Sequence, residues 1–238
     1  MVKKIAKKLQ QLIFGKKNAR GKEPIHFTKR LKAEIGTFKT VFDIGTFKGN
    51  FIDEILHINA AITIHCFEPS SEAFDFLNLK FSQQSNIRLN NAAVSDYTGE
   101  ASFNVNAFDE TNSLLESASV DEHINNLTQK KSTQTVDVVK LSEYCLQHGV
   151  SEIDLIKIDT QGNSYNVLKG LEPLLKEKKI KYLYVEAEFI EIYKNEKLFS
   201  EIEMLMRGLD YAIMDIYNLN YLNKERLAWC DVLFAVKK

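Results

Sequence analysis

Between Val41 and Ser70 the chain reads VFDIGTFKGN, then an apolar-periodic stretch, then IHCFEPS. Two short β-type runs flank a segment with helical periodicity, and Gly45 and Gly49 punctuate the first turn. A strand, a glycine turn, a helix and a second strand within 30 residues make a βαβ unit, whose strands lie parallel and whose helix covers one face. The second strand ends in a carboxylate, Glu68, 23 residues after Gly45. An acid there can accept hydrogen bonds from both hydroxyls of a ribose, and glycines let backbone approach a ligand closely.

The turn discriminates between nucleoside ligands. A dinucleotide site needs G-x-G-x-x-G so that a pyrophosphate can sit on the helix N-terminus. This chain has D-x-G-x-x-x-G, with Asp43 where the first glycine would stand. A carboxylate repels pyrophosphate and suits a cationic ligand such as an amino acid moiety. The pattern resembles the S-adenosylmethionine site of Rossmann-like, class I methyltransferases. A nicotinamide-dependent oxidoreductase is the disfavoured alternative.

Strand and helix signals continue along the chain: strands over Val41–Ile44, Ile62–Phe67, Ile87–Val94, Asp154–Ile158, Lys181–Val185, Tyr211–Ile216 and Val232–Val236. Helices are predicted over Phe51–Asn59, Glu72–Phe81, Ser164–Leu175 and Leu198–Arg207, with Ser164 or Asn163 as a cap and a short LSEYCLQHG helix closed by Gly149. EASFNVNAF and TQTVDVVKL alternate and can pair as an added hairpin, while the polar run DETNSLLESASVDEHINNLTQKK reads as a mobile loop. Alternating strands and helices imply a mostly parallel sheet covered on both faces.

At 238 residues the chain suits one domain and an appendage. Residues 1–32 hold eleven Lys/Arg and one acid, a net +10, which leaves −11 on residues 33–238. Val2, Ile5, Leu9, Leu12 and Ile13 recur at helical spacing among the lysines. A basic amphipathic helix either packs its stripe on the domain or lies on an anionic bilayer, so peripheral membrane contact through residues 1–17 is one expectation. Nucleic acid is disfavoured, because the remaining body is acidic. No apolar run reaches ~18 residues, so a transmembrane helix is not expected. Cys66, Cys145 and Cys230 are isolated, no Cys/His spacing suggests a metal, and a cytosolic setting with reduced thiols is expected, at most at the inner face of a membrane.

Five blocks in order, VFDIGTFKGN, FEPS, NAAVSDYTGEASF, IDLIKIDTQGNSYNVLKG and YLYVEAEF, with a weaker CDVLFAVK, resemble the FkbM family of S-adenosylmethionine-dependent methyltransferases from about Thr40 to Val236. The IKID-x-x-G-x-x-x-x-VLKG block is the most specific of them. The resemblance implies a three-layer Rossmann-like sandwich with a seven-stranded sheet, S-adenosylmethionine as cofactor, and O-methylation of a hydroxyl, often on a sugar of a surface glycan or on a natural product. It places Gly45 and Gly49 in the cofactor turn, Asp43 at the methionine end of the cofactor, Glu68 at the ribose, and Asn91, Ala92 and Ser95 on the adenine side. Asp159 ends the strand aimed at the transferred methyl and is the expected catalytic carboxylate, oriented by Lys157. Glu186 or Glu188, two apart on one strand face, can receive the acceptor proton. Asn112 and Ser113 are candidates to reach the site as part of a lid. Two departures stand out: Gln161 occupies a position where the family often has an acid, and Tyr165 another. Those substitutions remove general-base chemistry at Gln161. A scaffold that binds the cofactor without catalysis is the competing class.

Overall fold

The computed structural model describes residues 34–237. The proposed basic arm over residues 1–32 lies outside them. Strand β1 (Thr40–Ile44) is an apolar run with Val41, Phe42, Asp43 and Ile44 all buried, as a parallel strand covered on both faces requires. The chain then turns through Gly45 and Gly49, both left-handed at φ 77° and 73°, into helix α1 (Asn50–Ile58). Phe51, Ile52 and Ile55 form the face of α1 that packs on the sheet. Strand β2 (Thr63–Phe67) follows, and α2 (Ser71–Phe81) starts at Ser70, whose hydroxyl accepts from Ala73 N–H at 3.5 Å.

The other strands of the main sheet are β3 (Ile87–Asn90), β7 (Ile153–Ile158), β8 (Ile180–Glu188), β9 (Tyr211–Leu222) and β10 (Arg226–Val236). Their order is β3-β2-β1-β7-β8-β10-β9, with β10 antiparallel to both neighbours. This is the expected seven-stranded, mostly parallel sheet. The order runs outward from β1 on one side and from β7 on the other, so the switch point lies between the carboxyl ends of β1 and β7, where α/β sheets bind ligands. One apolar cluster, centred on Phe67, Ile156, Val185 and Phe234, fills one face. A second, centred on Val41, Ile52, Ile64 and Leu233, fills the other. His65 belongs to the core: it stacks on Phe42 at 4.6 Å, bonds Tyr144 Oη at 2.9 Å, and burial pushes it down to about 4.

Three elements differ from the sequence-based expectation. The single strand over Ile87–Val94 is two: β3 ends at Asn90, and β4 (Ala93–Ser95) joins another sheet beside β6 (Lys130–Lys140), which pairs with β5 (Gly99–Asn106). The Asn90 amide donates to Cys66 O and the Asn91 amide to Glu68 O, tying this crossing to the end of β2. The added hairpin, β5 with β6, is therefore part of a three-stranded sheet. The helix over Ser164–Leu175 breaks into α5 (Ser164–Gly170) and α6 (Glu172–Lys176), because Pro173 has no N–H to continue the ladder. The polar run after β5 is an anchored path: a 3₁₀ turn over Asp109–Thr111, a bridge between Asn104 and Ser113, and helix α3 (Glu122–Leu127).

Helix α4 (Leu141–His148) ends at Gly149, left-handed at φ 64°, and α7 (Phe199–Gly208) covers β8 and β9. β9 and β10 extend well beyond the predicted apolar runs as a long hairpin. Asn223 and Lys224, both left-handed, make the turn.

Candidate active site

A cavity of about 380 Å³ opens at the carboxyl ends of β1, β2, β7 and β8, within the size range of small-molecule sites. One end is walled by the turn after β1, by Phe67, Glu68 and Pro69, and by Ala92 to Val94. The other is walled by Asp159, Gln161, Tyr184, Glu186, Glu188, Asn218, Trp229 and Asp231. The anchored path supplies Asp109 to Asn112 and Leu114 across the top.

At the first end Glu68 is nearly fully buried, and two backbone N–H groups hold it: Phe47 N–H donates to Oε2 and Ser70 N–H to Oε1, each at 2.8 Å. Each carboxylate oxygen keeps a second lone pair for a ligand hydroxyl. Burial pushes Glu68 up to about 7, against the pull of the two backbone donors. Gly45 is needed where it stands: a Cβ there would lie 1.8 Å from the Asp159 carbonyl oxygen, where the ends of β1 and β7 meet. Gly49 has less close neighbours: a Cβ there would lie 2.6 Å from the Phe81 ring and 3.0 Å from Leu77, both side chains of α2. Four of the turn's N–H groups are engaged inside the protein, Gly45 and Thr46 with Phe67 O, Phe47 with Glu68 and Gly49 with Thr46 O.

The structure does not bring every expected site residue to the wall. Asp43 is fully buried behind the turn, and its charged partner is Lys157, whose Nζ lies 3.5 Å from Oδ1. Neither Asp43 oxygen has a hydrogen-bond partner, and burial raises the group to about 6 despite the lysine. Asp43 thus reaches a ligand only through its neighbours. Ala92 lines the cavity. Asn91 is exposed and bonds the backbone at Glu68 and Pro69, while Ser95 lies buried at the end of β4, within reach of Asn163.

At the second end Lys157 also reaches Asp159 Oδ2 at 3.3 Å and donates to Gly45 O at 3.2 Å. Gln161, left-handed at φ 51°, is the hub. Its Nε2 donates to Asp159 Oδ1 at 2.9 Å and to Glu186 Oε2 at 2.8 Å, its Oε1 accepts from Tyr193 Oη at 3.0 Å, and its carbonyl accepts from Ser113 Oγ at 2.6 Å. An amide can bridge two carboxyl groups in this way; a carboxyl group at this position could not donate both bonds. The pair is asymmetric. Burial, reinforced by the Asp159 charge, raises Glu186 well above the carboxylate range, whereas Lys157 holds Asp159 below its usual value against the desolvation it also suffers. One proton therefore resides on Glu186, and Asp159 is ionised. Glu188 shares the face, is buried, and is raised further by Glu196 beside it.

A model described as the methyltransferase FkbM domain matches residues 43–213. The chain belongs to the FkbM methyltransferase family. Among curated relatives of this family member is the 2-O-methyltransferase NoeI of Sinorhizobium fredii, 25% identical over 162 residues. The alignment covers 66% of each chain, so this chain spans just under two thirds of that relative. Solved structures with a similar arrangement include an rRNA methylase from Streptococcus thermophilus, at 18% identity, 92% and 100% coverage and a TM-score of 0.48. Another is M. capricolum TrmK in complex with S-adenosylhomocysteine, at 10% identity, 90% and 70% coverage and a TM-score of 0.48. At such scores these likenesses carry no argument about ligand or reaction. The residues from Asp43 to Glu188 lie inside the FkbM match; Asn218, Trp229 and Asp231 lie beyond it.

Sequence reasoning assigned no role to Tyr184, Tyr193, Asn218, Trp229 or Asp231. Asp231 stands in the CDVLFAVK block, which carried a strand signal but no site signal. No helix among the described residues is long and apolar enough to cross a membrane.

Proposed function

We propose that this family member transfers a methyl group from S-adenosylmethionine to a hydroxyl oxygen of an acceptor of sugar type. The observation that carries the reading is the cavity's division of labour: a carboxylate fixed by two N–H groups at one end, and an ionised Asp159 clamped by Lys157 and Gln161 at the other. The lining fits the cofactor. Among the described residues eight acidic and two basic side chains face the cavity, and even with Glu186 and Glu188 neutral the remaining acids outnumber the two lysines, which favours a cationic ligand and opposes a pyrophosphate.

When bound, the cofactor supplies a methyl group already activated by its sulfonium. The protein's task is then to align the acceptor oxygen and to take its proton. Asp159, ionised and fixed by Lys157 and Gln161, takes the proton only as the methyl transfers, when the acceptor hydroxyl has become strongly acidic. Glu186, neutral, steadies it, and Gln161 fixes the distance between them. The path over Asp109–Leu114 lines the same cavity.

Titration calorimetry with S-adenosylhomocysteine and NAD tests the cofactor. Micromolar binding of the former alone is expected, weakened at least tenfold in Glu68→Ala. Glu68 accepts hydrogen bonds best when ionised, so wild-type affinity should fall as pH drops from 8 through 7 to 6 and the carboxylate protonates. NAD binding, or no binding of S-adenosylhomocysteine, would sink the reading. For the base, Asp159→Asn should lower methyl-label transfer from S-adenosylmethionine to a panel of soluble oligosaccharides by about 10²–10⁴-fold. Affinity for S-adenosylhomocysteine should stay near wild type. Unchanged turnover would remove Asp159 from that role.

A further inference from the structure

The far wall of the cavity, beyond the segment matched to the family, has a hydrogen-bonding polarity of its own. Tyr184 Oη donates to Asp231 Oδ2 at 2.8 Å. The Asn218 amide donates to the same oxygen at 2.6 Å and to Tyr184 Oη at 3.1 Å. Asn218 is left-handed at φ 49°, and the β9–β10 register slips between Trp229 and Asp231. An irregularity of this kind re-aims side chains, here bringing Asn218 and Trp229 into the cavity wall with Asp231.

The network engages donors and leaves acceptors. Both Asn218 amide hydrogens and the Tyr184 hydroxyl are directed within the wall, while Asp231 Oδ1 and Asn218 Oδ1 accept from no described residue. Further in, the donors of Gln161 and Lys157 are taken by Asp159, Glu186, Asp43 and Gly45. Among the amide, hydroxyl, ammonium and indole donors of these wall residues, the Trp229 indole N–H is the one that no described residue takes. Asp231 is held up at about 6, by burial first and then by the Asp159 charge.

We propose that Asp231 and Asn218, with the indole of Trp229 beside them, form the acceptor subsite, and that it takes a ring offering hydroxyl or ammonium donors next to the methylated position and rejects one bearing a phosphate. A phosphate brings only acceptor oxygens and negative charge to a wall of carbonyl and carboxylate oxygens. A sugar already joined to its glycan meets this requirement, and an activated sugar phosphate does not. The reaction that supplies the substrate is then a glycosyl transfer, completed before methylation. The inference rests on the proposed methyl transfer and deepens it.

Trp229 is the single tryptophan of the chain, so its fluorescence reports on this wall. With S-adenosylhomocysteine present, methyl glycosides of common hexoses and 6-deoxyhexoses, the amino sugar glucosamine and the 1-phosphates of the same rings are titrated in parallel. At least one glycoside or the amino sugar should give a saturable change, with its phosphate at least tenfold weaker. Asp231→Asn and, independently, Asn218→Ala should each weaken that response at least fivefold while S-adenosylhomocysteine affinity, read by calorimetry, stays within twofold. A phosphate that binds as well as its glycoside, a response indifferent to both substitutions, or no response from any ring would overturn the proposal. Loss of S-adenosylhomocysteine binding in the wild type would instead overturn the underlying methyl transfer reading.

Discussion

Replacing Lys157 by methionine is expected to destabilise the fold by about 3–5 kcal/mol, a large part of the margin of a typical domain. Methionine nearly matches the lysine stem in length but removes the one cation that faces both Asp43 and Asp159. Asp43 would be left fully buried with no charged partner and no hydrogen bond. The deficit should depend on pH, and its sign follows from linkage. Asp43 already titrates near 6 in the fold, above its ordinary 3.8, because burial outweighs the lysine. Without the lysine it rises further, so the folded variant binds a proton that the unfolded chain releases, and stability is lost as pH rises through that range. Urea denaturation at pH 8 and pH 5.5 should show the larger deficit at pH 8. Adding Asp43→Asn should restore much of the loss. If the double variant is instead as unstable as the two single losses summed, the buried charge is not the cause.

Gly45→Ala should be the other severe change. The added methyl meets the Asp159 carbonyl at 1.8 Å, and a backbone atom at the seam of two strands cannot swing aside. Overpacking adds about 1–3 kcal/mol, and the left-handed backbone at φ 77° adds about 1–2 kcal/mol for a residue with a Cβ. Gly149→Ala serves as the control, since Gly149 is left-handed too but has no atom within 4 Å of the added carbon. It should cost about 1 kcal/mol, from conformation alone. Equal melting shifts for the two variants would mean that the close approach of β1 and β7 is not what requires glycine. The displaced seam also carries the turn that holds Glu68, so Gly45→Ala should lose S-adenosylhomocysteine binding as well.

The Glu68 end of the cavity was legible because its signals are local. Glycine at two left-handed positions, an amphipathic α1 and an acid two residues past Cys66 all lie within one βαβ unit, where periodicity and turn chemistry speak directly. The ion pair between Lys157 and Asp159 was legible too, since residues two apart on a strand share a face. What sequence could not supply were contacts across the chain. Gln161 reads as a lost acid until Tyr193 and Glu186, 32 and 25 positions away, are seen to meet its amide. Asp43 reads as facing a ligand until its side chain is seen to be fully buried, with Lys157 Nζ as its charged neighbour. Asn90 and Asn91 look like ordinary strand residues, yet their amides end one sheet and start another. Asn218 carries no signal at all, because a polar residue in a long hairpin is unremarkable until the backbone turns left-handed beneath it.

The order of the strands has a consequence for how the molecule is assembled during synthesis. β10 follows β9 in the sequence but inserts between β9 and β8. When β9 leaves the ribosome it has no strand to pair with, whereas β1, β2, β3, β7 and β8 can already form a continuous parallel sheet around the Glu68 end of the cavity. Asp231 and Trp229 arrive only with the inserted strand. The nascent protein can therefore form the Glu68 end of the cavity before the Asp231 wall, and a chain stalled after β9 would carry the first without the second.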